Sequence, residues 1–311
     1  MKILFLGSSE FACPSLNSLA LSSHQVLGVL TQPDRPKGRG QRFTPSPVKR
    51  LALEKNLPLF QPEKVRDPST VEHLRSLQPD VLVVVAYGQI LPPAVLAIPP
   101  RGCVNVHASL LPKYRGAAPI ARAILQGEQR TGVSTLFMDA GMDTGPILLV
   151  EESDISPTDT TGTLQERLSH IGASLLLRTL DELDKETLRP REQDEAQSTY
   201  APKIEKAEAL IDWTRSARQL SFLLRAFDPS PGAFTFWNGR VLKLFRPSWE
   251  DREAAERPGT VLEASSDRLR IATLHGDLFV QELQMESRPR MGVREFLRGH
   301  ALRAGEVLVG K

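Results

Sequence analysis

An amide, an imidazole and a hydroxyl follow one another at Asn105, His107 and Ser109, just past a run of apolar residues. A carboxylate, Asp143, waits further on in Gly141-Met142-Asp143-Thr144-Gly145. An imidazole beside a carboxylate is an oriented general base, and an amide N–H suits an oxygen that gains negative charge. Together these groups point to transfer of an acyl-type group rather than to redox or metal chemistry. Each also has a plainer reading when taken singly. His107 could be a satisfied structural histidine, Asn105 a strand-end amide, and Asp143 a turn cap before Thr144 and Gly145. The period-2 relation of Asn105 and His107 sends both side chains to one face of a strand, which favours a shared site.

The elements that must position these groups follow from periodicity. Strands are predicted at Lys2–Leu6, Gln25–Thr31, Asp80–Ala86, Cys103–His107, Gly132–Phe137 and Gly145–Ser153, with a short extended piece at Pro58–Gln61. Helices are predicted at Cys13–Ser22, Val48–Lys55, Ser69–Ser76, Ala118–Gln126 and Thr163–Leu183. The all-apolar Val81-Leu82-Val83-Val84-Val85 reads as a strand buried on both faces of a parallel sheet. Alternation of this kind predicts a Rossmann-like α/β domain with a mostly parallel sheet, whose ligands bind beyond the carboxyl ends of the strands. His107, Ala86-Tyr87-Gly88 and the Asp139–Asp143 loop all fall at strand ends, so three tips meet at one crevice.

The chain then changes character. Residues 190–206 are polar and aperiodic and read as a linker over the surface. After a helix at Ala217–Phe227, short β-like pieces follow at Gly232–Trp237, Val241–Arg246, Gly259–Ala264, Leu269–Ala272 and Leu278–Leu283. They are separated by Asn238-Gly239, Pro258-Gly259 and His275-Gly276. Such spacing predicts a small OB-like β-barrel, which a last helix over Gly292–Arg303 would close. The expected division is therefore a catalytic domain at 1–189, a linker at 190–206 and a barrel at 207–311. A length of 311 residues suits two domains.

A net charge of +2 does not by itself indicate a polyanion partner, so local clusters matter more. Arg35, Lys37, Arg39, Arg42, Lys49 and Arg50 share one Pro/Gly-rich stretch with a single acid, Asp34. The aperiodic run Asp34–Pro47 is either a solvated charge run or a functional loop. Arg288, Arg290, Arg294, Arg298 and Arg303 line the C-terminal end.

Several classes are disfavoured. Gly7-Ser8-Ser9-Glu10-Phe11-Ala12 keeps only the first glycine of the dinucleotide fingerprint, and no phosphate-binding G-x-x-x-x-G-K-[ST] loop occurs. No His/Cys cluster suggests a metal. The two cysteines, Cys13 and Cys103, sit in apolar surroundings and read as buried thiols of a reducing, cytoplasmic protein. The apolar start of the chain is too short for a signal peptide, and no run of about 20 apolar residues could span a membrane.

Asn105, His107 and Asp143, with Ser109-Leu110-Leu111-Pro112 between them, resemble the 10-formyltetrahydrofolate-dependent formyltransferases. Further stretches are similar to the branch whose acceptor is methionyl-tRNA. They are Thr31-Gln32-Pro33-Asp34-Arg35-Pro36, Gly38-Arg39-Gly40, Val84-Val85-Ala86-Tyr87-Gly88, Arg115-Gly116-Ala117-Ala118-Pro119-Ile120 and Ile211-Asp212-Trp213. The resemblance implies Asn105, His107 and Asp143 as the catalytic triplet. It implies folate contacts from Ser109, Leu110, Leu111, Pro112, Tyr87, Gly88, Ile90 and Asp139. It implies initiator methionyl-tRNA as the acceptor, gripped by Arg35, Lys37, Arg39 and, foremost, Arg42, and a C-terminal barrel that helps hold the tRNA. Its further implications are 10-formyltetrahydrofolate as co-substrate, no metal and a monomer. The chemistry suits the residues. The α-amino group attacks the formyl carbon as a neutral amine, and an imidazole with an ordinary pKa of about 6.5 can take its proton.

Three rivals remain open on sequence alone. The acceptor could be a small amine, although a second domain and a basic loop call for a large anionic substrate. Water could take the place of the amine. A nucleic-acid-binding module is the third, and it leaves the triplet without a role.

Overall fold

The computed structural model describes residues 1–37, 42–253, 256–265 and 267–311. These divide into two compact units. One comprises Met1–Ala117, Arg130–Asp154 and Gln165–Ala201, and the other Ala118–Gln129, Ile155–Leu164 and Pro202–Lys311.

In chain order the first 184 residues form β1 (Lys2–Gly7), α1 (Cys13–Ala20), β2 (Gln25–Leu30), β3 (Arg35–Lys37), β4 (Arg42–Thr44), α2 (Pro47–Glu54), β5 (Leu59–Phe60) and α3 (Pro68–Ser76). There follow β6 (Val81–Val85), α4 (Pro93–Leu96), β7 (Cys103–His107), α5 (Pro119–Leu125), β8 (Arg130–Phe137), β9 (Ile147–Asp154) and α6 (Thr161–Asp184). The main sheet of the first unit has the order β5-β2-β1-β6-β7-β8-β9. The pairs from β5 through β7 are parallel, and β8 and β9 are antiparallel additions. The mostly parallel, Rossmann-like reading holds.

Burial explains the order. Ile3, Leu4, Phe5 and Leu6 of β1 are fully buried, as are Val81, Leu82, Val83 and Val85 of β6. Only central strands covered on both faces can bury such unbroken runs. Each fully buried Leu or Val contributes roughly 1.5–3 kcal/mol of transfer free energy before entropy is counted. Leu4, Leu6, Leu82, Val84, Tyr87 and Cys103 share one cluster with Leu74 and Val95 of the covering helices. Helix starts carry their own signals. The Ser46 hydroxyl accepts the Lys49 N–H at 2.9 Å, with Pro47 at the first helical position. The chain leaves β1 for β2 on one side and returns to β6 on the other, so the switch point lies between β1 and β6, with β7 next along.

Beyond α6 come α7 (Ala217–Ala226), β10 (Phe234–Trp237), β11 (Arg240–Glu250), β12 (Val261–Ala264), β13 (Leu269–Ala272), β14 (Asp277–Met285), β15 (Met291–Gly292) and α8 (Val293–Gly299). Helix α7 opens on a reciprocal capping box between Ser216 and Gln219. The six strands form one antiparallel sheet, ordered β10-β11-β14-β13-β12, with β15 on β14. It curls into a barrel-like form. Helix α5 belongs to this second unit, where Gly127 lies so close to the Phe222 ring that an added Cβ would stand 2.5 Å from it.

Two details differ from the sequence reading. Closure of the barrel was expected from the last helix, but it comes from the extended chain after it. Phe236 of β10 and Val309 exchange N–H···O bonds at 2.8 and 2.9 Å. Val261 of β12 likewise exchanges bonds with Glu306 and Gly305, both at 2.8 Å. This stretch is too short to show alternation, and backbone pairing rather than side-chain pattern does the joining. The second difference is in the basic run 34–47, expected to lack regular structure. Its backbone pairs antiparallel at Arg35 with Thr44, Pro36 with Phe43 and Lys37 with Arg42. Three-residue strands likewise give no periodic signal.

Candidate active site

Along β7, Val104 and Val106 turn to one face of the sheet and Asn105 and His107 to the other. On the valine face, Gly172 of α6 approaches so closely that an added Cβ would stand 2.9 Å from Val106. That packing fixes β7 in place and so aims Asn105 and His107.

His107 is 6% exposed. Its Nε2 lies 2.9 Å from the carbonyl of Tyr114. A carbonyl can only accept, so Nε2 carries hydrogen and donates. In the neutral ring the lone pair is then on Nδ1, which stands 3.6 Å from Asp143 Oδ2. That gap is too long for a hydrogen bond and short enough for strong attraction to an imidazolium. Asp143 is held by neutral donors. Asn105 Nδ2 donates to Oδ1 at 3.1 Å, and the Gly116 N–H donates to Oδ2 at 2.8 Å. An amide NH₂ has two hydrogens, so Asn105 keeps a second one for a ligand.

The loops are strained where they meet. Tyr114 and Asp143 both have left-handed backbones, with φ of 61° and 56°. Such conformations in residues other than glycine cost of order 1–3 kcal/mol and cluster at functional sites. At Gly145 an added Cβ would overlap the carbonyl of Phe137, so only glycine lets the Asp143 loop turn back against β8.

The other residues singled out from sequence take varied positions. The Ser109 hydroxyl donates to the Lys113 carbonyl at 2.7 Å, and Ser134 bridges the Ser109 carbonyl (2.7 Å) and the Leu111 N–H (3.1 Å). Ser109–Pro112 is therefore a stapled loop, with Leu111 buried. The Tyr87 ring lies in the core, and burial pushes its phenol up to about 12. Its carbonyl is what reaches the switch point, accepting from Ser8 Oγ at 2.9 Å and Gln32 Nε2 at 3.3 Å. Gly88 follows at φ 86°, and Ile90 stands 86% exposed. Asp139 accepts from the Gly141 N–H at 2.9 Å and Thr144 Oγ1 at 2.7 Å, shaping the loop that carries Asp143. A cavity of about 10 Å³ between Asn105, Asp139 and Asp143 has room for about one water. A larger open groove of about 680 Å³ lies by Gly102 and Cys103, at the far end of β7 from His107. Of the basic residues, Arg35 is exposed and pairs with Glu63 at 2.8 Å. Lys37 and Arg42 face each other in backbone register, and Arg39 lies outside the described residues.

Sequence reasoning missed the Tyr114 carbonyl and the Gly116 N–H as partners. Backbone groups leave no trace in residue type. It also missed Gln193, whose amide donates to the carbonyls of Asp143 and Gly145, both at 2.7 Å.

The formyl transferase family model matches residues 1–180, and the formyl transferase C-terminal domain model matches residues 203–301. This chain belongs to the formyltransferase family. Two relatives, both named methionyl-tRNA formyltransferase, show how far the likeness extends in this formyltransferase. The protein of Alkaliphilus oremlandii is 44% identical over 308 residues, covering 99% of each chain. That of Trichlorobacter lovleyi is 47% identical over 99% of this chain and 97% of its own. Among solved structures, the fold is shared with an N-formyltransferase from Helicobacter canadensis, in complex with folinic acid and dTDP-3-aminofucose. Its TM-score is 0.69 at 18% identity, covering 92% of this formyltransferase and all of that chain. HypX from Aquifex aeolicus, in complex with tetrahydrofolic acid, gives a TM-score of 0.65 at 18% identity, over 96% of this chain and 47% of its own.

Proposed function

We propose that this formyltransferase moves the formyl group of 10-formyltetrahydrofolate to the α-amino group of methionyl-initiator tRNA. The observation that carries the reading is the Asp143 carboxylate, held by Asn105 and Gly116, with Nδ1 of His107 3.6 Å away. Support for the acceptor comes from relatives of that name at 44–48% identity along 99% of the chain. The same likeness disfavours a small amine as acceptor.

The donor, when bound, supplies an activated formyl carbon. The chain's own residues do the rest. The Tyr114 carbonyl keeps hydrogen on Nε2 of His107, which leaves Nδ1 as the base for the proton of the attacking amine. The resulting imidazolium stands 3.6 Å from the Asp143 carboxylate, which stabilises it. The second N–H of Asn105 donates to the formyl oxygen as it gains charge. His107 then returns its proton to the departing nitrogen, directly or through water, so the site ends as it began. For the donor itself, the crevice offers backbone at Tyr87–Gly88, the exposed apolar Ile90, and the loops at Ser109–Pro112 and Asp139. Arg35, Lys37, Arg39 and Arg42 grip the acceptor phosphates. The enzyme works in the cytoplasm as a monomer; among the described residues no helix is long and apolar enough to cross a membrane.

The test is a formylation assay with methionyl-tRNA and 10-formyltetrahydrofolate, run beside small amines and beside a reaction without acceptor. Formylation of methionyl-tRNA well above both controls is expected. Equal turnover of a small amine, or release of formate without acceptor, would overturn the reading.

A further inference from the structure

Residues 181–202 lie between the two family matches, which end at 180 and resume at 203. Sequence reading makes residues 190–206 a linker over the surface. Within the first unit, residues 191–201 of this mostly exposed stretch are hydrogen-bonded to both loops that hold His107 and Asp143. Arg191 and Ile147 exchange N–H···O bonds at 2.8 Å. Thr199 Oγ1 accepts the Tyr114 N–H at 2.8 Å, and the Thr199 carbonyl accepts the Arg115 N–H at 2.9 Å. The Ala201 N–H donates to the Arg115 carbonyl at 2.7 Å.

Gln193 is the one side chain of this strap that joins the two loops. Its Nε2 donates to the Asp143 and Gly145 carbonyls, both at 2.7 Å. Its Oε1 accepts from Nε and NH2 of Arg115, at 3.1 and 2.9 Å. Arg115 is buried, and its remaining donors go to Glu195 at 3.0 and 2.8 Å, which holds that carboxyl below its ordinary range. Tyr114 and Gly116 on either side of Arg115 contact His107 and Asp143. Only a neutral amide of this length serves both ends. Glutamate would set an anion against two carbonyls, lysine would repel the guanidinium, and asparagine is one methylene short. Left-handed Tyr114 and Asp143 persist only where their surroundings over-determine them, and this strap supplies the constraint.

We propose that Gln193 is a positioning residue for formyl transfer, acting through the Asp143 loop to set the carboxylate against His107. The proposal rests on the function given above, and two independent readouts separate them. Full-length Gln193→Ala and Gln193→Glu should lose about 10- to 100-fold in kcat, as small misplacements of reacting groups do, with KM for folate and for methionyl-tRNA within about threefold. Gln193→Glu keeps the Arg115 pairing, so it serves where the alanine variant folds poorly. In an Asp143→Asn background, Gln193→Ala should cost less than about threefold more, since the two act as one unit. Amide hydrogen exchange at Gly116, which donates to Asp143, should speed up about tenfold or more in the variants whether or not tRNA is the acceptor. A kcat within about threefold of wild type, a loss confined to KM, equal losses in both Asp143 backgrounds, or unchanged Gly116 exchange would each overturn the positioning role. Inactivity of the wild type toward methionyl-tRNA would instead refute the function, leaving Gly116 exchange to judge Gln193.

Discussion

Asp228 and Asp143 are both surrounded by donors, and they are surrounded differently. In the second unit, Asp228 accepts from both terminal nitrogens of Arg290, at 2.8 and 3.1 Å. The remaining nitrogen of Arg290 goes to Glu282, and Phe245 lies under the guanidinium at 4.0 Å. Arg246 adds a second cation to Glu282 at 3.2 Å. Burial alone would pull the Arg290 guanidinium down, but these carboxylates outweigh it and leave its pKa raised. Every charge there is met by a permanent opposite charge. Asp143 in the first unit meets two neutral donors and a titratable ring held just beyond hydrogen-bond distance. Permanent partners lock a fold. Neutral donors hold a carboxylate equally still and leave its charge available for a proton that comes and goes.

The largest effect that would sharpen this contrast is on turnover. His107→Ala or Asp143→Asn should lower kcat for formylation by roughly 10²–10⁴-fold, with little change in melting temperature. Asp228→Asn should do the reverse. It should cost about 1–3 kcal/mol of stability, less than for a fully buried pair because Arg290 is partly exposed, and leave kcat within about twofold. Melting curves and steady-state rates on the same preparations check both. A catalytic collapse in Asp228→Asn would break the comparison.

Asn105→Ala should lose about 3 kcal/mol of transition-state stabilisation, seen in kcat, with folate affinity near normal. A loss wholly in folate KM would assign Asn105 to binding instead.

Smaller effects are expected at the β3–β4 hairpin. Arg42→Ala should raise KM for methionyl-tRNA and make its log–log salt dependence shallower by about 0.7–0.9 for each phosphate no longer neutralised, leaving folate binding unchanged. Affinity measured from about 50 to 200 mM salt decides, and an unchanged slope would make the hairpin an ordinary charged surface.

The smallest effect concerns the thiols. Burial pushes Cys103 up to about 12 and Cys13 up to about 11, so both stay protonated near neutrality. Native protein at about pH 8 should resist alkylation that proceeds readily once it is unfolded, because the thiolate is the nucleophile. Rapid labelling of native Cys103 would be at odds with its burial.

Much of this arrangement was legible in the sequence, for physical reasons that can be named. Val81–Val85 could only be a strand covered on both faces, and Asn105 and His107 could only share a face of theirs. Side-chain periodicity carries that information. It carries none about the Tyr114 carbonyl that sets the histidine's tautomer, because every residue has a carbonyl. Within the linker at 190–206, the role of 191–201 as a strap has no sequence signal, because its work is done by backbone bonds and by one amide, fifty residues from its partner Asp143. Barrel closure at 305–309 was assigned to the neighbouring helix for a similar reason, since a few bridging residues show no alternation.

Whether Asp143 and His107 work as one acid–base unit is decided by the kcat of formylation for His107→Ala, Asp143→Asn and the double variant, each measured against wild type at saturating methionyl-tRNA and 10-formyltetrahydrofolate. If they do, the double variant is no slower than the worse single variant by more than about threefold. Losses that multiply, with the double variant slower by the product of the two single effects, would show two independent residues and refute the unit.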